Sequence, residues 1–186
     1  MSQPLGSLAA AAPHARLDVD YVQAGGSPEA LLRGDDVLAV FGFGNAAPRN
    51  DDPRYLRVPL QPHGGLPFET WHTRSPVSHG REGDIAWASD GQLSFGAIEI
   101  DEREIGIEAA AEQAYSQLLA FVGRSATPRL LRIWNYLDAI TLGDGDTERY
   151  RRFCVGRARG LGAFDASRLP AATAIGRCAD QRIIQI

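Results

Sequence analysis

The sequence predicts an α+β fold, a mixed β-sheet with two helices packed on one of its faces. Up to about residue 100 the chain reads as short β-like runs broken by Gly and Pro. From Ile107 the apolar spacing changes to that of a helix, and a strand, a second helix and two further strands follow. Strands, long helix, strand, helix, strand, strand is the order of an α+β layer.

The early strands are expected in "DVLAVFGFG", "LRVPL", "FETWHT", "DIAWASDG" and "LSFGAIEI". The last two form a hairpin turning at Ser89, Asp90 and Gly91, because Asp-Gly tolerates the positive φ of a tight turn. In "IEAAAEQAYSQLLAFVGR" apolar residues fall at 107, 110, 111, 114, 115, 118, 119 and 122, with Gly123 as a stop. Residues 129–140 make a strand, "LGDGD" a turn, and Asp146 or Thr147 caps a helix running to about Gly160. "AATAIGR" and "RIIQI" complete the sheet. Residues 1–36 read as a lead-in and 37–186 as one domain.

Composition narrows the function classes. The 186 residues are 44% hydrophobic with a formal net charge of −4, enough apolar material for one core and no general attraction to nucleic acid or an anionic membrane. Cys154 and Cys178 lie far apart without a CxxC or ligand-like His spacing, so neither a zinc site nor a disulfide framework is expected, and the setting is a reducing cytoplasm. His63, His72 and His79 are irregularly spaced and read as loop residues. "FGFGNAAPRN" lacks both GxGxxG and the lysine-serine ending of a phosphate loop.

The informative residues break an otherwise ordinary pattern. In "LRIWNYLDAI" Leu131, Ile133, Asn135, Leu137 and Ala139 share the face expected to meet the helices, which buries the Asn135 amide. Trp134 and Tyr136 share the other face, which is expected to be either a subunit interface or a pocket wall, with interface burial favoured for Trp134. On the second helix Tyr150, Phe153, Cys154, Arg157 and Leu161 form one stripe, so Arg157 needs a partner. Either Arg157, Tyr150 and Asn135 satisfy one another, or Arg157 and a tyrosine hydroxyl meet a ligand carboxylate. Arg149, Arg152 and Arg159 read as a solvated basic face.

"ETWHTRSPVSHGREGDIAWASDGQLSFGAIEID", "RIWNYLDAI" and "GDGDTERYRRFCVGRARGL" resemble the chorismatases, a family of hydroxybenzoate synthases and chorismate hydrolases with some pteridine-dependent deoxygenase-like members. The resemblance runs from about residue 37 to the end. It implies conversion of chorismate to pyruvate plus a hydroxybenzoate or a dihydroxycyclohexadiene carboxylate, without metal or cofactor. It also implies a fold like that of the RidA/YjgF deaminases, with their chorismate mutase-like trimer architecture, although Ala172 stands where those deaminases carry a substrate-binding arginine.

On this reading Asn135, Tyr136, Tyr150 and Arg157 are the substrate-binding residues, with Asn135 anchoring the strand to the following helix. The catalytic acid is expected in a second, C-terminal RidA-like half, carried by the same or a separate polypeptide. Chorismate or a similar small dicarboxylate is the expected ligand and a homotrimer the expected assembly. The alternative is a non-catalytic RidA-like trimer that binds small carboxylates or protein partners.

Overall fold

The structure is a computed structural model that describes residues 16–23, 26–65, 67–163, 165–178 and 181–186. Among these residues ten strands form two sheets. The strands are β1 (Asp18–Val22), β2 (Val37–Phe43), β3 (Tyr55–Val58), β4 (Phe68–His72), β5 (Ser78–Glu82), β6 (Ile85–Ser89), β7 (Ser94–Asp101), β8 (Arg132–Asp138), β9 (Ala171–Arg177) and β10 (Ile183–Gln185). The helices are α1 (Pro28–Leu31), α2 (Gly106–Arg124) and α3 (Arg149–Leu161). One sheet has the order β1-β4-β2-β3 and the other β5-β6-β7-β10-β8-β9. The larger sheet is mixed, since β8 and β9 run parallel while its other pairs are antiparallel.

The helices lie on one face of the larger sheet, as the periodicity implies. Ile107, Ala111, Ala114 and Tyr115 of α2 join Ile133 and Leu137 of β8 and Phe153 of α3 in one core. The two helices approach closely because Gly156 and Gly160 present no side chain: a Cβ at Gly156 would sit 1.9 Å from the Glu108 carbonyl oxygen. The β6–β7 hairpin turns as expected. Asp90 Oδ1 accepts from the N–H groups of Gln92 and Leu93 at 2.8 and 2.7 Å, and Gly91 has φ +86°.

Four expectations need correction. The face of β8 that carries Trp134 and Tyr136 is covered by the chain's own second sheet, whose Phe41, Leu56 and Trp71 share one apolar cluster with both residues, and not by another subunit. The lead-in is structured where it is described: β1 pairs with β4, and Ser27 caps α1, its side chain accepting from Ala30 N–H at 3.3 Å; residues 1–15 lie outside the described part. Upstream of β6 the hairpin gains a third strand, β5, turning at Gly83 and Asp84. Its exposed residues show no apolar alternation, because an edge strand needs none. Finally, the inward row of β8 is shorter than expected: Leu131 is 64% exposed and Ala139 leaves the strand at φ +47°.

Two smaller differences concern charged side chains. His72 and His79 lie on β4 and β5, not on loops, and His72 Nδ1 is 3.3 Å from Asp36 Oδ2. The basic face of α3 is paired. Arg149 bonds to buried Glu102, and Arg152 and Arg159 both reach Glu108 of α2. Among the described residues, no helix is long and apolar enough to cross a membrane.

Candidate active site

Asn135 is buried, at 1% exposure. Its Oδ1 accepts from the Tyr115 hydroxyl at 2.7 Å, and its Nδ2 donates to the Thr173 carbonyl at 3.0 Å. One amide thus ties β8 to α2 and to β9. Asn135 finds its partners in Tyr115 and Thr173, and neither Tyr150 nor Arg157 bonds to it. An OH at position 115 of an otherwise apolar helical stripe was the available signal.

Arg157 lies behind this pair, its guanidinium carbon 5.5 Å from the Tyr115 ring centroid. It is half-buried, its Nε is buried without a hydrogen-bond partner, and it forms no ion pair with a carboxylate among the described residues. A desolvated donor of this kind is unfavourable unless an acceptor arrives. Burial raises the Tyr115 phenol above its ordinary value, while the neighbouring Arg157 charge opposes the shift. Tyr115 therefore stays protonated and can donate to Asn135 at neutral pH.

Tyr150 is 40% exposed and stacks on Phe153 with ring centroids 6.3 Å apart. Cys154, one turn further along α3, pushes the Tyr150 phenol up. Tyr150, Cys154 and Arg157 follow one another along the helix, so a phenol and a guanidinium border the same stretch of surface. That arrangement suits a carboxylate, for which the planar guanidinium supplies paired donors.

Tyr136 does not belong to this group. Successive strand residues point to opposite faces, so it lies between the sheets while Asn135 meets α2. Burial pushes its phenol up to about 12, with Glu69 adding to the shift. It borders an apolar hollow of about 310 Å³ walled by Phe41, Trp71, Phe95 and Trp134. Trp71 and Trp134 lie 5.6 Å apart between centroids, and Arg132 covers Trp134 at 5.0 Å. Tyr136 and Arg157 therefore cannot grip one small ligand within this chain, which corrects the expected grouping.

A charged cluster at the far end of β8 was not anticipated. Asp138 and Arg177 are buried and paired, Oδ1 to Nε at 2.7 Å. The other Asp138 oxygen accepts from the N–H groups of Gln181 and Arg182 at 2.9 and 2.7 Å, which fixes the approach to β10. An acid in the same row as Trp134 and Tyr136 was its sequence signal.

The model for the family described as "Chorismatase FkbO/Hyg5-like, N-terminal" matches residues 69–186, which include β8, α3 and the whole larger sheet. A chorismatase from Streptomyces hygroscopicus is 38% identical over 111 residues, covering 58% of this chain and 32% of the relative. A chorismatase from Streptomyces rapamycinicus is 38% identical over 112 residues, covering 58% and 33%. A chorismatase crystal structure determined at 1.08 Å superposes with a TM-score of 0.70 at 30% identity, covering 91% of this chain and 52% of the other. The chain spans about a third of each curated relative and about half of that crystal structure. By this match the chain belongs to the FkbO/Hyg5-like chorismatase family, as its N-terminal domain.

Proposed function

We propose that this chain is the N-terminal part of a chorismatase that converts chorismate to pyruvate plus a hydroxybenzoate or a dihydroxycyclohexadiene carboxylate. The family match over residues 69–186 carries this reading. Chorismate has two carboxylates, and half-buried Arg157, with its partnerless Nε, supplies a fixed cation for one of them. Tyr150 adds a hydroxyl at the rim of the same surface, and Asn135 acts through Tyr115 to hold that face in place.

Release of pyruvate requires proton delivery to the enolpyruvyl methylene, a task for a carboxylic acid. In this reading that acid belongs to a second RidA-like half, carried by the same or a separate polypeptide. The assembled protein is a cytoplasmic trimer in the manner of the RidA/YjgF deaminases. Sedimentation of the purified protein checks the assembly, and a clean monomer contradicts it.

The activity is tested by supplying chorismate to the full-length protein and following pyruvate with lactate dehydrogenase and NADH. Pyruvate formation is expected, and none from an intact preparation refutes the reading. Arg157→Met is expected to raise KM for chorismate about tenfold or more with the fold retained, the loss of a charge-assisted contact. Arg157→Lys is expected to recover part of the binding. A variant that unfolds outright assigns Arg157 to the internal network instead.

A further inference from the structure

A polar cavity of about 490 Å³ opens between the edge of β3 and the face formed by β6, β7 and β10. Ala86, Ala97, Glu99 and Gln185 floor it, and Ala97 belongs to the core between the sheets. It therefore lies on the sheet face opposite Arg157. Arg49, Arg57 and Arg81 border it, and none of the three forms an ion pair with a carboxylate among the described residues. Arg57 donates from Nη2 to the Asn45 carbonyl, while its Nε is buried without a partner. Arg81 reaches only the Asp51 carbonyl, at 3.4 Å.

Three carboxylates also line the wall, and two of them, Asp84 and Glu99, are engaged by other side chains, while Asp51 lies at the exposed rim. Asp84 accepts from Gln117 at 3.1 Å, and Glu99 accepts from Gln185. Gln185 is locked, since its Oε1 accepts from buried Arg177 and its Nε2 donates to the Arg57 carbonyl at 2.8 Å. The loop carrying Arg49 is fixed as well. Asn50 donates to Glu29 at 2.9 Å and accepts from Asp52 N–H at 2.9 Å, and Asp52 pairs with Arg54 at 2.7 Å.

Three guanidinium groups without carboxylate partners thus face one preformed space whose opposite wall offers a carboxylate acceptor. We propose that this cavity binds a small hydroxylated dicarboxylate. One ligand carboxylate meets Arg57, the second meets Arg49 and Arg81 at the rim, and a ligand hydroxyl donates to Glu99. The site is independent of Arg157 and of the proposed reaction.

Calorimetric titration of the purified chain with L-malate tests the site, with succinate as the same dicarboxylate lacking the hydroxyl. One saturable malate site is expected, weakened about tenfold or more by Arg57→Met and several-fold by the exposed change Arg49→Met. Succinate is expected to bind more weakly than malate, and Arg157→Met to leave malate affinity unchanged. Three results overturn the proposal: no saturable malate binding, binding that both the Arg57 and Arg49 variants retain in full, or binding lost only with Arg157→Met.

Discussion

Asn135 concentrates the logic of the helix-facing site in one side chain. Its amide spends one acceptor on the Tyr115 hydroxyl and one donor on the Thr173 carbonyl, so three elements share a single buried group. Truncation removes both partners at once and leaves a buried phenol and a buried carbonyl unsatisfied. Asn135→Ala is therefore expected to lower stability by about 1–3 kcal/mol, read as a shift of the urea midpoint with little change in slope. It is also expected to loosen Tyr115 against Arg157, because the Tyr115 ring is the surface on which the guanidinium rests. A midpoint within error of the unchanged chain would show that water replaces the amide and that Asn135 anchors nothing.

At the scale of elements, the contact between α2 and α3 is set by what is missing from it. Gly156 and Gly160 sit four residues apart on α3, and a Cβ at either would come within 3.0 Å of α2 backbone. Gly156→Ala is expected to cost about 1–3 kcal/mol or more by forcing the helices apart. Gly123, within α2, has nothing within 4 Å of an added Cβ, so Gly123→Ala is expected to stabilise by about 0.5–1 kcal/mol. Thermal melts of the two variants in opposite directions would establish close approach, and not helix propensity, as the role of Gly156. Periodicity made α2 legible, because it has one buried face, and the Asp-Gly turn marked the β6–β7 hairpin. Periodicity said nothing of β1 and β5, which are edge strands with mostly exposed or half-buried side chains. The second sheet did leave a trace. Val37–Phe41 is buried at every position, the mark of a strand covered on both faces, and a one-sheet reading has no place for it. Of the candidate residues, Asn135 and Arg157 stood out because a polar group broke an apolar row. The grouping with Tyr136 failed because strand alternation separates neighbours in sequence onto opposite faces.

The described residues form three apolar clusters, and each holds one buried tyrosine: Tyr115 between the larger sheet and its helices, Tyr136 between the sheets, and Tyr55 on the outer side of the smaller sheet. Desolvation raises all three phenols, Tyr55 and Tyr136 to about 12. In the unfolded chain each titrates near 10. Above that pH the unfolded state releases protons that the folded state retains, so stability must fall as pH rises. For Tyr55 and Tyr136 the contribution is complete below about pH 10 and is lost progressively from there to about pH 12, with a slope of about 1.4 kcal/mol per pH unit for each retained proton. Because charge would enter every layer, alkaline unfolding is expected to be one cooperative transition and not the peeling of one sheet. Tyr136→Phe keeps the ring between the sheets and removes one titrating group. Urea unfolding at pH 9 and pH 11 should show a smaller loss of stability in that variant than in the unchanged chain. An identical loss in both would mean that Tyr136 ionises without unfolding the chain, and that the space between the sheets admits water at high pH.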